Sequence, residues 1–498
     1  MPPNGATRQS GAHDAGTLPA YPHVPLALTV AFSAYIALWY LHVSHRVPFL
    51  AAMRFELLAA VSLFAAAVLN GLSLRSPLTP IIGALATVIV LQVPFSVDPA
   101  LSWTIFIDGV AKYMMVAIMI ASFVKAPVHL RWFLGAFLLA MLKLGQEGVV
   151  GVITGSLLWE NQGVMRLHGP TPMYEHPNSF SGMAVGTLAF VVCLLPAARR
   201  WQKAVLLILG GCAAAIVLFT GSRTGYVGAF GLLLVMVAKS RRTVAAVVLA
   251  ALTMIAVAMF TPEQYRERFE TIFTQQDAEG HSTDLRKEIL RDAWHIFLEY
   301  PFGVGVGAFP VVRATEFGRT QDTHNLFLEV ATNLGIQGVV VFLLLIVVML
   351  VQLDRIVKRA DAQLARLGAP TVDRGAAALE HVDDLRLIRQ VALATFVFIF
   401  VRLTLGLFGM DLYEIYWWFA SGLCVALYQL EIIAGARTDT LLRAEMRSDS
   451  AATDQSSVAA RSEWNPSLTG RLGSNAVAKG RIDWVEWQRA RIAARTKR

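Results

Sequence analysis

Apolar runs long enough to cross a bilayer recur from residue 24 to residue 435, and no other feature of this chain narrows its possible folds as much. A hydrocarbon core about 30 Å thick offers a backbone no water to bond. Each crossing of roughly 20 residues must therefore be a helix that satisfies its own N–H and C=O groups. The runs fall near 24–42, 55–74, 79–97, 105–124, 130–154, 178–196, 203–220, 222–238, 243–261, 324–352, 389–408 and 415–433. The expected fold is all-α, a polytopic transmembrane helix bundle of about 12 spans with one large helical external loop, 262–323. Composition agrees, with 55% hydrophobic and 16% charged residues, against about 25% charged in a soluble domain. The first run follows a polar tail containing proline, which lacks the basic n-region and cleavage site of a removable signal peptide.

Lys and Arg orient such a bundle, because basic loops stay cytoplasmic. Arg199, Arg200 and Lys203 flank one connection, and Lys239, Arg241 and Arg242 flank another. Arg355, Lys358, Arg359, Arg366, Arg374, Arg386 and Arg389 fill the connector 353–388, and the tail 436–498 ends in Arg495, Lys497 and Arg498. Twelve spans put all of these on one face. Both termini are then cytoplasmic, and 156–177, 221–223, 262–323 and 409–414 face outward. The domain division expected is a disordered tail 1–23, a membrane domain 24–435 and a largely disordered basic tail 436–498. The end of that tail, with Trp484, Trp487 and Ile492 among arginines, is either an amphipathic segment on anionic lipid or solvated chain. The net charge of +8 follows from this layout and calls for no nucleic-acid partner. Cys193, Cys212 and Cys424 lie in predicted spans without C-x-x-C spacing, so packing is their expected role.

The chemistry-bearing residues gather on the outward side. Arg223 lies in Gly221-Ser222-Arg223-Thr224-Gly225, between two apolar runs. A guanidinium costs about 2.5–3.5 kcal/mol at the centre of a spanning helix. Its planar fork fits phosphate oxygens, which makes an anionic partner the natural reason to keep it. In the large loop, Leu285, Ile289, Ala293, Ile296 and Tyr300 follow helical spacing, with Asp284 as the N-cap and Pro301 as the stop. Arg286 then stands in the first turn, where the helix dipole favours an anion. Gly303-Val304-Gly305-Val306-Gly307 follows, either as a tight re-entrant turn or as backbone that touches phosphate; it lacks the strand context of a dinucleotide fingerprint. No G-x-x-x-x-G-K-[ST] run is present, which argues against an ATP-driven transporter.

His324 is expected in the first turn of the tenth span, capped by Asp322 or Thr323. A helix N-terminus disfavours imidazolium, so the ring would stay neutral and able to accept a proton. The alternative is an interfacial histidine that only bonds the loop. Lys112, Lys143 and Arg402, inside predicted spans, are open between structural pairing and substrate contact. Asp411, Tyr413 and Glu414 form a short outward turn near Tyr416, Trp417 and Trp418, aromatics open between interfacial anchoring and stacking on sugar rings. The acidic loop residues Asp277, Glu279 and Asp284 do not have the spacing of a glycosidase pair.

Three stretches together resemble the bacterial O-antigen ligase and O-antigen polymerase superfamily. They are Gly221-Ser222-Arg223-Thr224-Gly225, Arg286 followed by Pro301 and Gly303-Val304-Gly305, and His324-Asn325 followed by Leu334-Gly335-Ile336-Gln337-Gly338. Arg166-Leu167-His168-Gly169-Pro170 and His176-Pro177-Asn178 are similar to the external loop such proteins carry before a span. The resemblance implies an inner-membrane, metal-independent and cofactor-free inverting glycosyltransferase working at the periplasmic face. Its donor would be an undecaprenyl-diphosphate-linked glycan, and its acceptor another glycan, a lipid-A core sugar or a protein hydroxyl. By the same analogy Arg223 and Arg286 bind the pyrophosphate and His324 is the general base. Arg166 and Asn178 either line the glycan entrance or stabilise the loop. Ligase, polymerase and protein O-oligosaccharyltransferase stay open, and so does a glycan or lipid transporter.

Overall fold

The computed structural model describes residues 18–161, 164–240, 243–260, 263, 265, 282–368 and 376–462. The expected tail 1–17, the loop stretch holding Asp277 and Glu279, the middle of the basic connector with Arg374, and the tail with Trp484, Trp487 and Ile492 lie outside these residues.

Every apolar run is helical. In order these are α1 (Leu26–Tyr40), the short α2 (Val43–Arg46) and α3 (Pro48–Ala52), α4 (Phe55–Leu69), α5 (Thr79–Gln92), α6 (Pro99–Ile105) and, after a π-helical turn, α7 (Lys112–Phe123). Next come α8 (Pro127–Thr154), α9 (Pro177–Leu194), α10 (Arg200–Phe219), α11 (Arg223–Lys239) and α12 (Thr243–Phe260). The large loop contributes α13 (Ser282–Glu299) and α14 (Phe309–Phe317), and α15 (Leu326–Leu367), α16 (Ala376–Gly406) and α17 (Ile415–Ser462) close the chain. Among the described residues, seven helices are long and apolar enough to cross a membrane: Pro99–Phe123, Pro127–Thr154, Pro177–Ala197, Arg200–Phe219, Leu326–Leu367, Ala376–Gly406 and Ile415–Arg447. The runs in α1, α4, α5, α11 and α12 give helices of 15, 15, 14, 17 and 18 residues. One addition to the all-α expectation is a hairpin in the loop after α8, β1 (Leu158–Asn161) antiparallel to β2 (Val164–Leu167), with Trp159 opposite Arg166.

The chain divides into two compact units, residues 1–441 and 442–498. Of the second, residues 442–462 are described and are helical. The first has an aromatic core in which Phe133 and Phe137 of α8, Phe190 of α9 and Phe398 of α16 all meet Phe419 of α17. The glycines of α9 and α11 let α16 approach closely. A methyl at Gly186 would touch Phe398, and one at Gly228 would lie 2.6 Å from Leu405.

The bundle has two chemically distinct ends. At one, α15, α16 and α17 extend past their apolar stretches and bind one another through Arg389–Asp361 (2.8 Å) and Arg359–Glu431 (3.1 Å). Lys239 meets Asp354 there at 2.7 Å, and Arg131 meets Asp384 at 2.6 Å. The connector is thus helical on both sides of residues 369–375, which makes it more ordered than its polar composition suggests, because its basic side chains find acids on the next helix. Helix α17 likewise runs into the expected tail, where the Thr438 hydroxyl lies 2.8 Å from His381 Nε2.

At the other end, the external loop is stitched into α15. Gly335 has φ 67 inside α15 and breaks its helical geometry. The segment after α13 enters that kink: Val304 N–H donates to the Thr332 carbonyl (2.8 Å), Gly305 N–H to Asn333 (3.1 Å) and Ile336 N–H to Pro301 (2.9 Å). A Cβ on Gly335 would lie 2.3 Å from the Phe302 carbonyl carbon, and one on Gly303 (φ 92) 2.6 Å from the Asn333 oxygen. Only glycine permits this backbone-to-backbone approach. The glycine run is therefore a re-entrant turn. Its N–H groups at Gly303, Val304, Gly305 and Gly307 are already used on protein oxygens, the last on the Tyr413 hydroxyl (3.2 Å).

Helix α13 packs as its periodicity predicts, burying Ile289, Ala293 and Ile296, while Leu285 stays exposed. Ala293 and Ile296 join Val304, Ala308, Phe309 and Val312 in a small core, with Leu328 of α15 packed against it. Helices α13 and α14 of the loop thus pack on α15.

Candidate functional site

The site is built where α9 and α11 begin. The backbone N–H groups of a helix's first turn lack partners within the helix, and a side chain placed just before it can supply one. Ser222 does so for α11, its Oγ accepting from Gly225 N–H at 3.0 Å. His176 does so for α9, its Nδ1 accepting from Asn178 N–H at 3.1 Å. Asn178 joins the two: its Oδ1 accepts from Ser222 Oγ (2.8 Å) and from Arg166 Nη2 (3.0 Å). Arg166 Nε also donates to the Thr220 carbonyl at the end of α10 (2.9 Å). The Arg166 side chain is buried, and Arg223, the first residue of α11, is half-buried. Arg166 and Asn178 thus tie the loop to the start of α11. Gly225 is required here, since a Cβ would fall 1.8 Å from Ser181 Oγ.

His324 comes in from the far side of the loop. The structure places it before α15 rather than in its first turn. The cap is Asn325, whose Oδ1 accepts from Phe327 N–H (3.0 Å) and Leu328 N–H (3.1 Å). Asp322 and Thr323 instead bond within the turn, Asp322 Oδ1 accepting from Thr323 N–H at 2.7 Å. His324 itself has φ 46, a left-handed conformation that non-glycine residues rarely hold. Such conformations cost on the order of 1–3 kcal/mol and concentrate at functional sites. Asn325 Nδ2 fixes the turn by donating to the Leu407 carbonyl (3.1 Å), and Glu329, buried in the next turn, accepts from Leu412 N–H (3.1 Å).

Electrostatics tie these pieces together. Burial first, then the charge of Arg286, pulls His324 below the ordinary histidine range; Asp322 opposes this and Arg313 adds to it. Burial also lowers His176, with Arg166 and His324 adding to the effect. Burial raises Asp322. Both imidazoles nevertheless keep an exposed surface. His324 thus feels the charge of Arg286, and His176 feels those of Arg166 and His324. Arg223 joins through Ser222 and Asn178.

A clamp that sequence reading missed holds Arg286's helix in place. Arg313 of α14 is fully buried and donates to Asp292 of α13 (Nε, 2.9 Å) and to Gln321 Oε1 (2.8 Å), three residues before His324. The signal was present: Asp292 interrupts the apolar stripe Ile289, Ala293, Ile296, and a charge on a buried stripe implies a buried partner.

The remaining candidates pair structurally. Lys112 meets Asp108 (3.1 Å), Lys143 meets Glu147 (3.2 Å), and Arg402 is bound to Asp411 and lies 3.5 Å from the Tyr416 ring centre. Tyr416, Trp417 and Trp418 are buried in the bundle, so their packing serves neither an interfacial belt nor an accessible sugar platform. The cysteines are free, with Cys193 and Cys424 buried. His295, Glu299 and Glu316 have the spacing of metal ligands, but all are exposed, and exposed acidic clusters are common on protein surfaces. An apolar hollow of about 160 Å³ between α8 and α10 lies beside the arginine network, lined by Gly148, Val152, Leu167, Ile216 and Phe219.

Residues 204–343 match the family model described as O-antigen ligase. The chain is also 26% identical over 186 residues to the teichuronic acid biosynthesis protein TuaE of Bacillus subtilis (strain 168), covering 34% of this chain and 38% of that protein. It thus spans well under half the length of the curated relative it matches. The matched segment runs from α10 through the external loop into α15, and holds Arg223, Arg286 and His324. With its apolar helices, the chain is a multi-pass membrane protein whose residues 204–343 are similar to the O-antigen ligase family.

Proposed function

We propose that this chain is a glycosyltransferase of surface-polysaccharide biosynthesis, which passes a glycan from a polyprenyl diphosphate such as undecaprenyl diphosphate to an acceptor hydroxyl. The observation that supports the reading is the Arg166–Asn178–Ser222 network beside Arg223, which His176 joins through Asn178, together with the charge that Arg286 exerts on His324. His324, held neutral, accepts the acceptor's hydroxyl proton. The oxygen attacks the anomeric carbon as the carbon–oxygen bond to phosphate breaks, and the electron pair leaves on the lipid diphosphate. Attack from the opposite side inverts the anomeric centre. Arg223 and Arg286 bind the diphosphate and meet its growing charge, the kind of contact whose loss costs about 10²–10³ in turnover. The apolar hollow beside Leu167 and Phe219 suits the hydrocarbon of such a donor. No covalent nucleophile is required.

The site faces the periplasm and both termini lie in the cytoplasm, as supported by the basic residues gathered at the opposite end of the bundle. Ligation to a lipid-A core, polymerisation and protein glycosylation share this chemistry and differ in acceptor. Purified protein given undecaprenyl-diphosphate glycan and each acceptor in turn should form product with one of them. His324→Ala should lower turnover by at least about 100-fold while the protein stays folded. Absence of product with every acceptor, or full turnover in that variant, would overturn the reading.

A further inference from the structure

His176 is an unusual helix cap, since Ser, Thr, Asp and Asn are the preferred residues there. Its hydrogen bond fixes its chemistry. Nδ1 accepts the Asn178 N–H at 3.1 Å and therefore carries a lone pair. The ring is then the neutral tautomer with its proton on Nε2. Nδ1 faces the start of α9, so Nε2–H, on the far edge of the ring, points away from the helix, and the residue is exposed. Burial, Arg166 and His324 all disfavour a second proton. His176 cannot serve as a base in this state, but it is a good hydrogen-bond donor.

Its surroundings say what it would donate to. Asn178, which holds the ring, also holds Ser222, the cap of α11 next to Arg223. The N-termini of two helices of 18 and 17 residues therefore meet at one asparagine side chain, and each contributes partial positive charge. Buried Arg166 adds a full charge at the same point. An imidazole donor aimed outward from this place matches a phosphoryl oxygen better than a neutral sugar hydroxyl.

We infer that His176 is a further donor-binding residue, whose Nε2–H hydrogen-bonds a non-bridging oxygen of the lipid diphosphate while Nδ1 remains the cap of α9. This rests on the glycosyl-transfer reading above. No proton moves at His176; the bond strengthens as charge builds on the departing diphosphate. The two imidazoles thus have opposite duties, His324 accepting a proton and His176 presenting one.

Two substitutions separate this role from capping alone. In His176→Asn the amide oxygen takes the place of Nδ1, so the cap survives and Nε2–H is lost. In His176→Gln the amide nitrogen reaches the place of Nε2, so the donor survives. The measurement is binding of undecaprenyl diphosphate to the full chain in nanodiscs, with thermal midpoints recorded alongside. His176→Asn should bind about tenfold more weakly, the scale of one hydrogen bond to a charged acceptor, at an unchanged midpoint. His176→Gln should bind within about threefold of the native chain, since a donor is kept. Native-like binding by His176→Asn, or equal weakening in both variants, would overturn the inference. Arg223→Ala and Arg286→Ala serve as the control for the reading beneath it. If these bind like the native chain, or the native chain fails to bind, the diphosphate site itself is wrong.

Discussion

His324 concentrates the chemistry at the scale of single residues. A base works only in its deprotonated form, so kcat/KM should fall as pH drops through the pKa of His324. Burial and Arg286 lower that pKa, so the acid limb should lie below about pH 6.5, the ordinary histidine value. Arg286→Gln removes one lowering charge, and the limb should then move to higher pH. A pH-rate profile of both proteins checks the sign; a limb that stays put would separate Arg286 from the base. Arg223, Arg286 and His324 stand out as candidates in the sequence because they share one expected face and lie in three motifs that recur in order. The duties of Arg166 and Asn178 were not legible there. Their roles depend on Thr220 and Ser222, more than 40 residues away in the chain, and no local spacing announces such a contact.

Among the elements, the clasp between the external loop and α15 has the clearest consequence for stability. Gly335→Ala would place a methyl into the Phe302 backbone at a left-handed φ, and should cost at least about 2 kcal/mol. Gly211→Ala, in the middle of α10 with open space around its would-be Cβ, should instead be neutral or stabilising by up to about 1 kcal/mol. Thermal unfolding of the two purified variants checks the contrast, and equal midpoints would contradict it. The apolar runs were legible because hydrophobicity and length are local properties, whereas the short α2, α3 and α14 carry no such run. In sequence, Gly303-Val304-Gly305 and Leu334-Gly335-Ile336-Gln337-Gly338 read as separate motifs, yet they are two halves of one contact. The β1–β2 hairpin escaped notice because its strands are four residues each, too short for alternation to register.

Over the whole molecule, the question is which end faces out. At 1.5 Å per residue, the stretch of α15 beyond the Gly335 kink, Ile336–Leu367, extends about 48 Å, roughly one and a half times a hydrocarbon core. The surplus lies with the ion pairs at the basic end, as the positive-inside pattern expects. Ser156 and Asp383 are exposed at the two ends. In bacterial spheroplasts, a membrane-impermeant maleimide should label Ser156→Cys, and Asp383→Cys only after lysis. The reverse pattern would put the site in the cytoplasm and end the periplasmic reading. The stitching at Gly335 has one more consequence. Residues 301–307 form a roof pinned to the shaft beneath it, and it cannot tip open without parting the bonds from Val304, Gly305 and Ile336, each worth about 0.5–1.5 kcal/mol. If the chain acts on a lipid-linked donor as proposed, that fastening favours entry from the side, through the lipid leaflet, over passage between residues 301–307 and α15.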